Sequence, residues 1–325
     1  MPGREEARAT MREIMSGEAT PAQLAAYITA LRLRGETGEV IAGCAEAMRE
    51  KFTAIPAPGD VVVDTCGTGG DGAGTFNIST AAALGAAGAG LIVAKHGNRG
   101  VSSPSGSADA FAALGVKIDI PPSAMAECLR RVGIAFLFAP ALHPAMKHAI
   151  GPRREIGIRT VFNILGPLSN PAGARHGVLG VYSEAMAPVL AAAAAALGAR
   201  RMFVVHGRDG LDEITTTTTT AAFDVCDGAV RPFEIDPRAL GLPLARREDL
   251  AGGDAAQNAR IIRGVLDGEK GPARDIVLLN AGAVIAAGGK ARDLKEGLAC
   301  AAGSIDSGAA RAKLKALVEF TNLAV

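Results

Sequence analysis

Residues 64–80, DTCGTGGDGAGTFNIST, constrain this chain more than any other stretch. They follow the strand-like VVV of residues 61–63 and run into the apolar, helix-prone segment 81–89. A chain that turns through Gly67, Gly69, Gly70, Gly72 and Gly74 can bring its amides close to a ligand, because no Cβ stands in the way. The helix start that follows adds the positive end of a peptide dipole. Chemically the stretch is an anion cradle, and it demands a strand–loop–helix setting.

The rest of the chain supplies that setting. Short buried strands are predicted at 61–64, 91–95, 134–138, 177–182 and 202–206. Helices fit between them at 78–89, 107–114, 123–132, 144–150 and 185–198. Such alternation predicts an α/β fold with a mainly parallel central sheet flanked by helices. Residues 4–50 read differently, as helices alone, with Thr20-Pro21 as an N-cap followed by proline at the first helical position. The cluster Pro56–Gly59 punctuates the change. The expected organisation is a small all-helical domain over 1–59 and an α/β domain over 60–325. Residues 222–235 read as a short antiparallel addition, and 255–268 and 292–321 as helical. For 275–287 the period does not choose between helix and strand. Thr215–Thr220 is the one low-complexity run.

Composition excludes several function classes. A formal net charge of +1 argues against nonspecific nucleic-acid binding and against a basic membrane face. Aromatic residues are 4% and Trp is absent, so a base-stacking surface is not expected. The five cysteines, at 44, 66, 128, 226 and 300, never take CxxC spacing and read as reduced thiols in a cytoplasmic protein. The opening MPGREEARAT is polar, and apolar runs such as 185–199 are too short to span a membrane.

Which anion the cradle holds follows from its neighbours. Gly67–Gly72 matches GxGxxG literally, but a dinucleotide site needs an acid at the end of the next strand, to hold ribose hydroxyls. Here that strand ends in Lys95-His96, and the P-loop pattern GxxxxGK[ST] is absent. The loop therefore reads as a phosphate site of another kind, against the plain alternative of a glycine turn without a ligand. The second loop, Lys95–Ser107, carries two cations, one amide and four hydroxyls in thirteen positions. Lys95 and Arg99 can neutralise phosphate oxygens, where a solvated basic loop is the blander reading. In VVHGRDGLDEI a third loop places Asp212 beside Glu213, a hard-oxygen pair suited to Mg²⁺ held jointly with phosphate. His143 and His206 fit no zinc spacing, and no GxSxG elbow is present. In residues 139–171, Arg153, Arg154 and Arg159 could each meet a carboxylate in a bidentate pair.

These segments together resemble the anthranilate phosphoribosyltransferases of tryptophan biosynthesis. The resemblance rests on DTCGTGGDGAGTFNIST, KHGNRGVSSPSGSADAFAALGV, HPAMKHAIGPRREIGIRTVFNILGPLSNP, HGRDGLDEI and the tail from LLNAGAVI to GLACAAGSIDSGAARAKL, in order, over nearly the whole chain. It implies a helical domain, joined by part of 155–175 and hinged to a larger α/β domain, in a homodimer. The implied reaction joins 5-phosphoribosyl-1-diphosphate to the amine of anthranilate and releases diphosphate, with two Mg²⁺ ions per site and no nucleic-acid or membrane partner. By motif, Gly67, Gly70, Asp71, Thr75, Asn77, Ile78, Ser79 and Thr80 would contact the phosphoribosyl diphosphate. Lys95, His96, Gly97, Asn98, Arg99, Gly100, Val101, Ser102, Ser103 and Ser107 would continue that site. Ser79, Asp212 and Glu213 match the magnesium positions, and Gly67, Asn98 and Arg153 match anthranilate contacts. No acid or base is assigned; His96 is a candidate for orienting its loop. One departure stands out: after DEI the family often reads STTGPT or similar, whereas here the run is Thr215–Thr220. A pyrimidine nucleoside phosphorylase-like enzyme and a nucleic-acid-binding relative of the same fold are the competing readings.

Overall fold

The computed structural model describes residues 2–100 and 104–323. Val101, Ser102 and Ser103, three of the expected phosphate contacts, lie outside the described residues. Three helices open the chain: α1 (Arg4–Ser16), α2 (Pro21–Arg34) and α3 (Gly38–Arg49). Thr20 begins α2 as its sequence predicts. Its hydroxyl accepts the Gln23 amide, the Gln23 side chain accepts the Thr20 amide, and Pro21 sits where an N–H would have no partner. Thr37 caps α3 through the Val40 amide.

Seven strands form one sheet in the order β3-β2-β1-β4-β5-β6-β7. β1 (Val62–Gly67), β2 (Ile92–Gly97), β3 (Ile134–Phe138), β4 (His176–Gly180) and β5 (Arg201–Gly207) run parallel. The hairpin β6 (Thr220–Cys226) and β7 (Ala229–Ile235) closes one edge antiparallel, as expected for 222–235. Between the parallel strands lie α4 (Ile78–Gly88), α5 (Ser107–Ala113), α6 (Pro122–Val132), α7 (Ala139–Leu142), α8 (Lys147–Ile156), α9 (Phe162–Leu165) and α10 (Ala187–Ala196). The chain ends in α11 (Ala255–Leu266), α12 (Pro272–Ala287), α13 (Leu294–Asp306) and α14 (Ala309–Leu323).

Two elements differ from the sequence reading, and a third is one that it left open. The helix expected at 144–150 starts with a 3₁₀ turn at Pro144–Met146 and then continues as α8 to Ile156. The segment 292–321 is two helices, parted at Ser307 and at Gly308 with φ of 79°. The ambiguous segment 275–287 lies within the sixteen-residue helix α12, whose residues are buried on nearly every side. A helix buried all round shows no amphipathic period, so its sequence hides its type.

Successive strand residues point to opposite faces, and the two faces feed two cores. Val178, Phe203 and Val205 pack with α4 and α11–α14. Leu179, Met202 and Val204 pack with α10, and through it with α1–α3, α8 and α9. Arg49 of α3 ties in the segment after α9, donating from Nε to the Leu168 carbonyl at 2.8 Å. β1 pairs with β2 on one side and β4 on the other, so the chain reverses its direction of growth at β1. Open α/β sheets bind ligands outside the carboxyl ends of strands at such a switch point. No helix among the described residues is long and apolar enough to cross a membrane.

Candidate functional site

A cleft of about 510 Å³ opens at the carboxyl ends of β1 and β2. It gathers most of the residues singled out by sequence. Gly67, Gly70, Asp71, Thr75, Asn77, Ile78 and Ser79 line it from the first loop. Lys95, His96, Gly97, Asn98, Arg99, Gly100 and Ser107 line it from the second, and Asp212, Glu213, Arg153 and Arg159 line it as well. Thr80 is fully buried and does not line the cleft. His206 is also elsewhere, buried with Nδ1 2.7 Å from the Val181 carbonyl.

Two kinds of glycine shape the first loop. Gly69, Gly70, Gly72 and Gly74 take φ between 67° and 73°, the left-handed region that a side chain disfavours. Gly67 does not; its role is close approach. A Cβ there would stand 2.2 Å from Asp212 Oδ2, and one on its β4 partner Gly180 would stand 1.6 Å from the Asp212 carbonyl oxygen. The bare strand ends let the loop after β5 cross the top of the sheet and bring its acids to the glycine loop.

The cradle's amides hold the protein's own carboxylates. Asp212 Oδ2 accepts the Gly69 amide at 2.6 Å, and Glu213 Oε1 accepts the Ser79 amide in the first turn of α4 at 3.1 Å. Asp71 faces them, its Oδ2 3.4 Å from the Asp212 amide. Burial raises the carboxyl pKa of both Asp212 and Glu213, and the neighbouring acids push it further, Asp71 for Asp212 and Asp212 for Glu213. Lys95, almost fully buried, partly opposes this at Glu213. A desolvated hard-oxygen pair whose charges repel each other fits a small divalent cation. Among the described residues no three metal-ligating side chains converge on one point, so the remaining ligands of such an ion would be oxygens of substrate and water.

The second loop is also internally satisfied. Arg99 pairs with Asp109 at 2.8 Å, while the other oxygen of Asp109 accepts the Gly100 and Gly106 amides. Arg99 is thus committed to a carboxylate, where its sequence suggested a cation free for phosphate. Beneath the loop, Asp64 is buried; its Oδ1 accepts the His96 amide and its Oδ2 the Asn170 amide group. His96 Nδ1 lies 3.2 Å from the Gly166 carbonyl and Nε2 lies 3.1 Å from His143 Nε2. The Gly166 contact places the His96 proton on Nδ1, so His143 supplies the hydrogen between the rings. Burial lowers both imidazoles, to about 3 and about 4, and keeps the pair neutral. Cys66 also borders the cleft, and burial lifts its thiol to about 12, which removes it as a nucleophile.

The opposite wall comes from α8 and α9. Arg153 stands 5.1 Å from the centre of the Phe162 ring and is half-buried; burial lowers its pKa, and it has no acidic partner among the described residues. Arg154 is exposed. Arg159 donates to the Gly70 and Gly69 carbonyls at 3.0 and 2.8 Å and stacks on Tyr182 at 3.8 Å. It props the glycine loop.

Sequence reading did not find Asn258 or Gly252, and took Ser105 only as one of the second loop's hydroxyls. Asn258 of α11 donates to Asn77 Oδ1 at 2.8 Å, and Asn77 donates to the Ser105 carbonyl at 3.1 Å. Gly252 donates its amide to the Gly74 carbonyl at 2.8 Å, and a Cβ on it would stand 2.6 Å from the Phe76 amide. The pair Gly252-Gly253 before the Asp254 N-cap was the available signal, but nothing in it pointed to a partner more than 170 positions upstream.

Comparison with known proteins agrees with this fold. Residues 2–52 match the helical bundle domain of the glycosyl transferase family, and residues 59–311 match its α/β domain. The chain is 57% identical over 320 residues to an anthranilate phosphoribosyltransferase of Anaeromyxobacter dehalogenans, covering 98% of this chain and 95% of that one. To that of Moorella thermoacetica it is 56% identical, covering 97% and 93%. Among solved structures, the anthranilate phosphoribosyltransferase of Thermus thermophilus superposes with a TM-score of 0.95 at 45% identity, over 99% and 96% of the two chains. The Saccharomyces cerevisiae enzyme in complex with PRPP and Mg superposes with a TM-score of 0.90 at 31% identity, over 98% and 93%. With its helical bundle and its α/β domain both matched, along almost the full length of its relatives, this chain belongs to the anthranilate phosphoribosyltransferase family.

Proposed function

We infer that this chain transfers the phosphoribosyl group of 5-phosphoribosyl-1-diphosphate to the amine of anthranilate, giving N-(5-phosphoribosyl)anthranilate and diphosphate. One observation carries the reading: one cleft brings desolvated carboxylates and glycine amides together with an arginine that has no acidic partner among the described residues. The first group suits a magnesium-bound diphosphate, the arginine an aromatic carboxylate.

In the reaction the C1–O bond to diphosphate breaks, and its electron pair leaves with diphosphate. The amine nitrogen then bonds to C1 and releases a proton. Bound magnesium would supply charge neutralisation on the leaving diphosphate. Ser79, Asp212 and Glu213 are the residues proposed to hold it, with two ions per cleft. Gly67, Gly70, Asp71, Thr75, Asn77, Ile78, Ser79, Lys95, His96, Gly97, Asn98, Gly100 and Ser107 form the proposed sugar diphosphate site, with Val101–Ser103 completing it. Arg99 and Thr80 belong to it indirectly, through Asp109 and through the α4 start. Arg153, Asn98 and Gly67 orient anthranilate. An aniline-type amine is already neutral at pH 7, so no strong base is needed before attack, and the neutral His96–His143 pair serves to hold the second loop.

The helical unit, 1–59 with part of 155–175, would close against the α/β unit, 60–325, and shut out water that hydrolyses the activated sugar. A homodimer in the cytoplasm completes the reading, and light scattering tests the stoichiometry. The direct test of function follows anthranilate fluorescence with purified protein, phosphoribosyl diphosphate and Mg²⁺. Magnesium-dependent loss of the signal is expected; no loss with either substrate in excess would overturn the reading.

A further inference from the structure

The threonine run is the one motif that the proposed reaction leaves unused, and the structure places it directly behind the acidic pair. The loop from Gly207 to Thr219 folds back on itself: the Gly207 amide bonds the Leu211 carbonyl at 2.9 Å, and the Arg208 amide bonds the Thr219 carbonyl at 3.0 Å. Asp209 stands at its centre. The hydroxyl of Thr215 donates to Asp209 Oδ2 at 2.7 Å, and the hydroxyl of Thr217 donates to the same oxygen. Thr215 Oγ1 also accepts the Thr217 amide at 3.0 Å, and Thr220 Oγ1 accepts the Thr215 amide at 3.0 Å. From outside, Arg247 donates to the Asp209 carbonyl, and the Ala245 amide bonds the Thr216 carbonyl at 2.9 Å.

Asp209 lies three positions before Asp212, and Thr215 two positions after Glu213. The contact between them therefore closes a ring of chain that contains both acids. Asn280 of α12 fixes Ile214 on the same ring, accepting its amide at 3.0 Å and donating to its carbonyl at 2.8 Å. A turn can be held by backbone dihedrals that glycine and proline favour, or by side-chain hydrogen bonds. This chain uses both: Gly210 takes a φ of 100°, and the threonine hydroxyls hold the return of the chain after the acids. The hydroxyls of a β-branched residue serve it well, because its χ1 has few wells to lose.

We propose that Asp209, clasped by the Thr215 and Thr217 hydroxyls, is the positioning residue that presets the Asp212-Glu213 carboxylates for a divalent cation. The role rests on the reading of Asp212 and Glu213 as the magnesium pair. The clasp touches neither substrate nor ion; it lowers the cost of holding two like charges side by side.

The test replaces both hydroxyls by methyls in Thr215→Val/Thr217→Val, with Thr215→Ser/Thr217→Ser as the variant that keeps them and Thr217→Val alone as the milder change. Two readouts are taken: the Mg²⁺ concentration for half-maximal turnover, and Mn²⁺ affinity by electron paramagnetic resonance in the presence of inorganic diphosphate. The valine pair should weaken both by about tenfold, the loss expected from hydrogen bonds to a charged acceptor, with the rate at saturating Mg²⁺ changed far less. Thr217→Val should fall between, and the serine pair should stay close to the parent. Asp212→Asn/Glu213→Gln is the control for the underlying reading. If the control binds Mn²⁺ as the parent does, the magnesium assignment fails and the clasp's role with it. If the control loses the metal while Thr217→Val and the valine pair keep parental affinity, the clasp alone is overturned. A serine pair as impaired as the valine pair overturns it too, since packing and not hydroxyls would then be at work.

Discussion

The two walls of the cleft are incomplete in opposite senses. On the α/β wall, Asp71, Asp212 and Glu213 crowd together, with Arg159 partly offsetting the repulsion at Asp212 and buried Lys95 at Glu213. Oxygens of Asp212 and Glu213 occupy the Gly69 and Ser79 amides. On the helical wall, Arg153 loses water to burial and gains an aromatic face, Phe162, but no carboxylate among the described residues. The first wall needs positive charge and the second negative charge. A site built this way discriminates by charge before shape. A diphosphate approaching the acids without its metal is repelled, whereas an aromatic carboxylate is drawn to the other side.

The sharpest way to break the comparison is to neutralise the first wall. Asp212→Asn/Glu213→Gln should cut magnesium-dependent turnover by about a thousandfold, the order lost when charge stabilisation is removed from a site that excludes water. Anthranilate KM should move little, as a two-substrate titration would show; kinetics unchanged across a magnesium series would sink the assignment. Neutralising the second wall should act on the other substrate. Arg153→Ala should raise anthranilate KM by about 30-fold, in the range of a lost charge-assisted pair in a half-buried setting. Arg153→Lys should recover part of that loss, because the ammonium keeps the charge but not the fork. If only the KM for the sugar diphosphate rises, Arg153 belongs to the wrong wall.

Arg159 tests where the boundary runs. It comes from the segment after α8, yet its guanidinium bonds carbonyls of the glycine loop. Arg159→Ala should therefore lower kcat/KM for the sugar diphosphate by about tenfold, less than the full value of two hydrogen bonds from a charged donor because they brace the loop and not the substrate, and leave anthranilate KM nearly unchanged. The reverse pattern would return Arg159 to the acceptor side.

The two walls also differed in how far the sequence revealed them. The donor loops announce themselves, because strand, glycine run, helix and Lys95 are consecutive or follow one strand later, and local chemistry fixes what they can bind. The register that brings Asp212 to Gly67 and Gly180 is a property of the sheet, and only the strand order exposes it. Asn258 was invisible for the same reason: an asparagine in a helix carries no mark of the loop it will brace. Arg159 was read as a cation for a carboxylate, yet its donors ended on carbonyls and its face on Tyr182. A sequence states an arginine's charge but not its neighbours. The helical type of 275–287 was hidden by complete burial, and the break at Gly308 by helical composition on both sides of it.

The smallest expected effect bears on whether the donor wall is strained or merely preorganised. A carboxyl whose folded pKa lies above its unfolded one binds protons more tightly when folded, so stability falls as pH rises between the two values. For Asp212 and Glu213 that window opens in the ordinary carboxylate range, about 4, and extends past neutrality. The same Asp212→Asn/Glu213→Gln change that removes turnover should then raise the melting temperature of the metal-free protein at pH 8, by about 2–4 °C for a chain of this size. The gain should close toward pH 4, where the parent's acids are protonated as well. Magnesium with diphosphate should close it at pH 8 by stabilising the parent alone. Scanning calorimetry of both proteins at the two pH values decides the matter. A double variant that melts below its parent at pH 8 without metal would mean that the bonds from Gly69 and Ser79 outweigh the repulsion between the acids. The wall would then be held ready by its own amides, and the cation would add binding without relieving strain.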